Sequence, residues 1–150
     1  TEPYIIPEIL SQVLNGNKQL TLGNIEATRD FTYVSDTADA IIRSIDAKKA
    51  IGEIVNVGSG YETSIRDLAF KIAKIAKKKI KIKYDESRER PYDVNRLCCN
   101  NKKAKNLLGW KPKISINSGL RKTFNWATKN RIVFRTPFKR FYYKGLAQKR

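Results

Sequence analysis

The chain has 150 residues, 41% of them hydrophobic, enough for one domain that buries roughly 70% of its unfolded surface. No apolar run approaches the ~20 residues of a membrane span, and the opening TEPYIIPEIL has neither a basic leader nor a small-residue cleavage site, so a cytoplasmic location is expected. Two adjacent cysteines, Cys98 and Cys99, cannot build a disulfide framework, and without histidine there is neither a zinc-ligand spacing nor a histidine-based triad.

Ile6, Ile9, Leu10, Val13 and Leu14 recur at helical spacing, Pro7 suits a first turn, and Asn15-Gly16 supplies a left-handed stop. Gln19 to Leu22 reads as a short strand and Phe31 to Val34 as another. Ser35 or Asp36 can cap the next helix, in which Ala38, Ile41, Ile42 and Ile45 form one apolar stripe that needs a partner. Glu53 to Val57 is β-branched and reads as a strand buried on both faces, followed by Gly58-Ser59-Gly60. Ser64 with Asp67 makes a capping box for a helix carrying Ile65, Leu68, Ala69, Ile72 and Ile75. Lys79 to Tyr84 alternates Ile with Lys, as a half-buried strand does, and the polar stretch from Asp85 to Asn95 is a loop. Two helices follow, Asn101 to Leu108, stopped by Gly109 and Pro112, and about Asn117 to Lys129 with Leu120, Phe124 and Ala127 on one side. Cys98 and Cys99 then fall on alternate strand faces.

The net charge of +17 is unevenly placed: residues 1–70 hold six Lys+Arg and ten Asp+Glu, leaving 25 and four for residues 71–150. Seven lysines between Lys71 and Lys83 lie in one helix-to-strand segment, where a solvated face is the ordinary explanation and attraction of a polyanion the alternative. Beyond Arg131 the periodicity lapses. Residues 131–150 carry seven Lys+Arg, no acid and five aromatics, a composition compatible with single-stranded nucleic acid or with a disordered extension.

The Gly58–Gly60 turn stands where a dinucleotide-binding loop would, between a strand and a helix, and Asp85 could supply the acidic partner. The third small residue of G-x-G-x-x-G would fall at Thr63, so a structural turn is the better reading. Arg29 is more specific: it follows the Gly23 turn by six residues, precedes an aromatic strand and has Asp30 beside it. A guanidinium suits a diphosphate, because its planar fork presents several donors and keeps its charge. A second arginine is expected, and the loop from Arg88 to Arg96 offers Arg90, constrained by Pro91, with Asp93 as an acceptor for ribose hydroxyls or for Arg96.

Ile6-Pro7, Leu22-Gly23, RDFTYVSD at 29–36, GEIVNVGSG at 52–60, RPYD at 90–93, KAKNLLGWKP at 103–112 and GLRKTFNW at 119–126 occur in one order and spacing. Over about residues 3–130 this pattern resembles the nucleotide-sugar epimerases and dehydratases of the extended short-chain dehydrogenase superfamily. In form it is nearest to the 4,6-dehydratases. Tyr92 departs from the family pattern, standing where R-P-G-D has glycine. The resemblance implies an α/β fold, an incomplete Rossmann-type fragment forming the C-terminal substrate lobe over residues 1–130, followed by a basic aromatic tail at 131–150. It implies that Leu20, Thr21 and Leu22 lie along the nucleobase with backbone groups reading its edge. Arg29 and Arg90 would hold the diphosphate, Asp93 would fix their loop, and Tyr61 is a further contact. NAD or NADP would be bound by an N-terminal Rossmann half that has no match in these residues. The intact enzyme would be a homodimer, and this chain alone would be inactive and bind no cofactor. Epimerase against dehydratase, and the identity of the base, stay open; a small basic nucleic-acid-binding module is the rival reading.

Overall fold

The computed structural model describes residues 4–89 and 93–130. Five helices and five short strands appear in the order α1 (Ile5–Leu14), β1 (Gln19–Leu22), β2 (Thr28–Asp30), α2 (Val34–Asp46), β3 (Glu62–Ser64), α3 (Ile65–Ile75), β4 (Lys81–Tyr84), β5 (Arg96–Leu97), α4 (Lys102–Leu108) and α5 (Ile116–Lys129). The class is α/β, as expected.

The apolar spacing of α1 faces Ile9, Leu10 and Val13 into the main core, where Leu20 and Leu22 of β1, Leu68 and Ile72 of α3, and Leu120 of α5 meet them. Each fully buried aliphatic side chain of this kind contributes about 1.5–3 kcal/mol, so the core rests on few residues. Asn15 ends α1 and Gly16 takes φ +87°, while the Lys78 ammonium reaches back to Val13 O at 2.6 Å and satisfies a terminal carbonyl. Ser64 caps α3 by accepting from Asp67 N at 3.0 Å, and Ile65 N and Arg66 N donate to Ala27 O and Ile25 O. Gly109 sits in the left-handed region at φ +59° and stops α4.

β1 pairs in parallel with β4, Gln19 opposite Lys81 through Leu22 opposite Tyr84. The alternation of Ile with Lys is realised there, with Ile80 and Ile82 on the core and the lysines outward. In the second sheet β2 is central, antiparallel to β3 and parallel to β5. Neither β3 nor β5 is expected from sequence, because two or three residues carry no readable period.

Three expectations are corrected, two at the start of α2 and one at Glu53 to Val57. The strand placed at Phe31 to Val34 lies earlier, at Thr28–Asp30, and Val34 already begins α2. Neither Ser35 nor Asp36 caps that helix, whose N-cap is Tyr33 without a side-chain bond. Instead Asp36 is only 3% exposed and accepts from Lys113 N at 3.0 Å and Ile114 N at 2.9 Å, while its own carbonyl takes the Trp110 indole N–H at 2.9 Å. The α2 stripe faces out: Ile41, Ile42 and Ile45 are 62%, 65% and 77% exposed, and Ala40 is the residue packed inward, against Ala104, Leu108 and Trp110.

Glu53 to Val57 forms no ladder among the described residues. Val55 and Val57 pack on the α2–α4 cluster, whereas Ile54 is 84% exposed. Extended backbone becomes a strand only when a neighbour takes its N–H and C=O groups, and no such neighbour is described.

Candidate functional site

Arg29 occupies the middle of β2, opposite Thr63 on one side and Leu97 on the other. Its guanidinium donates from Nη1 to Thr28 O at 2.8 Å and Val94 O at 2.5 Å, and from Nη2 to Asp93 Oδ1 at 2.6 Å. Arg29 and Asp93 are thus brought together, with side chains 23% and 21% exposed. A guanidinium has five N–H donors, so Nε–H and one Nη2–H have no partner among the described residues. The Asp93 segment is held further by Thr28 N donating to Asn95 O at 2.8 Å and by Asn24 Nδ2 donating to Asn95 Oδ1 at 3.3 Å.

The next residue of β2 faces the other way. Asp30 Oδ1 accepts from Ser59 N at 2.8 Å and from the Ser59 hydroxyl at 2.5 Å, and Oδ2 accepts from Gly60 N at 2.8 Å and Cys99 N at 3.2 Å. Asp30 is therefore not the orienting partner of Arg29 expected from adjacency. A Cβ on Gly58 would stand 2.3 Å from Cys99 Cβ and 2.9 Å from Asp30 Oδ2, which explains glycine at that position. The Gly58–Gly60 turn is a structural joint, since its Ser59 and Gly60 N–H groups go to a carboxylate and Cys99 packs against Gly58. It does not fit the pyrophosphate of a dinucleotide. Asp85, the acidic residue that alternative would use, accepts from Ser87 N and its hydroxyl at 3.1 and 2.6 Å in the short turn after β4.

The other anticipated site residues are more scattered. Leu20 and Leu22 point into the core, so a base could meet only their backbone. Thr21 has both peptide groups taken: Gln12 Nε2 donates to Thr21 O at 3.0 Å, and Thr21 N donates to Gln12 Oε1 at 2.8 Å. Gln12 also donates to Glu8, which receives Arg88 Nη1 at 2.9 Å. The sequence gives no sign of this network, because a glutamine one turn after a glutamate on a helix looks like a solvated pair. Tyr61 is exposed just before β3, its N–H bonded to the Ser59 hydroxyl at 3.1 Å. Arg90 lies outside the described residues.

Charge around the sheet is locally compensated. Glu62 takes Arg96 Nε at 2.7 Å and the Thr28 hydroxyl at 2.9 Å, and these bonds, with Arg96 first, hold its carboxyl below the ordinary carboxylate range. Burial, then the Asp30 carboxylate and Cys98, pushes the Cys99 thiol up, so it is not a poised thiolate. No group of three or more metal-ligating side chains occurs among the described residues, and no described helix is long and apolar enough to cross a membrane.

The family model described as GDP-mannose 4,6 dehydratase matches residues 2–123. A putative UDP-glucose 4-epimerase from Methanocaldococcus jannaschii is 35% identical over 133 residues, which are 86% of this chain and 40% of that protein. An epimerase structure from Methanothermobacter thermautotrophicus superposes with a TM-score of 0.81 at 29% identity, over 90% of this chain and 40% of the other. The UDP-glucuronic acid 4-epimerase of Bacillus cereus, solved with UDP-glucuronic acid and NAD, gives a TM-score of 0.76 at 28% identity, over 85% and 40%. The chain thus spans about 40% of the length of the relatives it matches. With motifs, fold and family model in agreement over most of its length, the chain belongs to the GDP-mannose 4,6 dehydratase family of nucleotide-sugar epimerases, dehydratases and reductases.

Proposed function

We propose that these residues form the nucleoside-diphosphate-binding portion of a nicotinamide-dependent nucleotide-sugar epimerase or 4,6-dehydratase. The observation that carries this reading is Arg29: a half-buried guanidinium, fixed by three bonds to Thr28, Val94 and Asp93, with Nε–H and one Nη2–H unpartnered among the described residues. A diphosphate supplies acceptors for such donors at every relevant pH. Arg90 is assigned as the second diphosphate ligand, and Asp93 as the residue that docks its loop on Arg29. The nucleobase lies along Leu20 to Leu22, where the Gln12 amide must yield if the Thr21 peptide is to read the base. Tyr61, exposed just before β3, is a further contact.

In this reading NAD or NADP and the reacting groups are supplied by a Rossmann half outside these 150 residues. That half would also take the backbone edge of 53–57 and cover the outward isoleucines of α2. The lysine-rich surface of α3 and β4 is solvated, and no nucleic acid is required.

Calorimetric titration of UDP and GDP into the wild-type chain and into Arg29→Ala tests the assignment. Charge-assisted bonds contribute about 1.5–3 kcal/mol each, so Arg29→Ala should weaken a nucleoside diphosphate on the order of tenfold to a hundredfold. Arg29→Lys should recover part of that, since a point charge does not replace a fork. Equal affinity of wild type and Arg29→Ala, or no binding by wild type, would refute the site.

A further inference from the structure

β5 contains two residues, Arg96 and Leu97, too few to hold its register by ladder bonds alone. Yet the placement of Asp93 against Arg29 depends on that register, because Asp93 lies three residues before the strand on the same short run of chain. Successive strand side chains project to opposite faces, and β2 uses this to grip β5 at both ends. Arg29 holds Asp93 and Val94 on its near side, while Asp30 takes Cys99 N on its far side, at 3.2 Å.

The same carboxylate receives Ser59 N, the Ser59 hydroxyl and Gly60 N. Those three bonds tie it to the turn that feeds β3, the other neighbour of β2, with Asp30 opposite Glu62. Gly60 and Cys99, two of its donors, line an open hollow of about 490 Å³ whose floor continues from Arg96 to Lys102.

We propose that Asp30 is a positioning residue: it locks β5 and the 58–60 turn onto β2, and so sets the Arg29–Asp93 geometry without touching the ligand. It rests on the diphosphate reading only for which ligand Arg29 serves. The assignment makes a distinction that adjacency in sequence hides, since Arg29 would bind while Asp30 would aim.

The test uses the full chain and compares Asp30→Asn with Ser59→Ala, which removes the hydroxyl's bonds to Asp30 and to the Tyr61 backbone but leaves Cys99 N and both turn amides on the carboxylate. Arg29 guanidinium proton exchange is followed by NMR at a temperature where all forms are folded, together with UDP affinity. Asp30→Asn should speed Arg29 proton exchange about tenfold or more and weaken UDP about tenfold, with Ser59→Ala within about twofold of wild type in both. Asp30→Ser, which keeps a short acceptor, takes the place of Asp30→Asn if the latter does not fold. A folded Asp30 variant with unchanged Arg29 exchange would overturn the inference. Failure of UDP binding in wild type would instead refute the diphosphate reading, and the guanidinium signal would still decide the role of Asp30.

Discussion

Replacing Asp36 by alanine should cost the chain a large part of its stability, although α2 itself stays intact. The Asp36 carboxylate takes Lys113 N at 3.0 Å and Ile114 N at 2.9 Å, and the side chain is almost wholly out of water. Two charge-assisted bonds at about 1.5–3 kcal/mol each set an upper range near 6 kcal/mol. Partial access of water to the two freed N–H groups brings the expected loss to about 3–4 kcal/mol, within a typical total of about 5–15 kcal/mol. The Trp110 indole bond is to the Asp36 carbonyl and survives, so the loss is confined to the 113–114 backbone. With a urea slope of about 2 kcal/mol/M, the denaturation midpoint should fall by roughly 1.5–2 M, read by the fluorescence of buried Trp110. Asp36→Asn, which keeps one acceptor oxygen, should fall between. A shift under about 0.5 M for the alanine variant would mean that the two N–H groups find other acceptors and that Asp36 is not the tether of this loop.

Gly58→Ala should destabilise by about 1–3 kcal/mol in the same assay, since its Cβ would stand 2.3 Å from Cys99 Cβ; a neutral result would show that the joint has slack. Glu62 has a folded pKa below its ordinary value of 4.5, so its contribution is complete only above that value and is lost as pH falls below it and through the folded value. The urea midpoints of wild type and Glu62→Gln should therefore converge on acidification below about pH 4, and a gap that persists at pH 2 would contradict the assignment. Ile41→Glu with Ile45→Lys should change stability by no more than about 0.5 kcal/mol each and reduce self-association in sedimentation, because both side chains face out. A loss above about 1 kcal/mol for either would place that residue in the core.

Where the signal was local to one segment, sequence alone determined the outcome. The spacing of α1, the Ser64 cap of α3, the Gly109 stop of α4 and the Ile–Lys alternation of β4 are local properties, set by dihedral preference and by which side chains avoid water. The joint order of seven short motifs identified the family, and Arg29 stood out because a forked cation after a glycine turn is chemically specific, but its partner Asp93 came only from the fold.

What only the tertiary structure decided are the contacts between segments far apart in the chain. An apolar stripe shows that a helix wants a partner, not whether one is present, so the sequence could not say that Ile41, Ile42 and Ile45 face out. The same holds for Glu53 to Val57, whose composition is that of a strand while its ladder requires a neighbour. Buried acceptors were equally hidden: Asp36 looks like a cap until residues 113–114 fold onto it, and Gln12 looks solvated until Thr21 meets it. Arg29 and Asp30 are neighbours by number, yet β pleating sends one to Asp93 and the other to Ser59, Gly60 and Cys99. Where each of two adjacent charged side chains points is a property of the sheet.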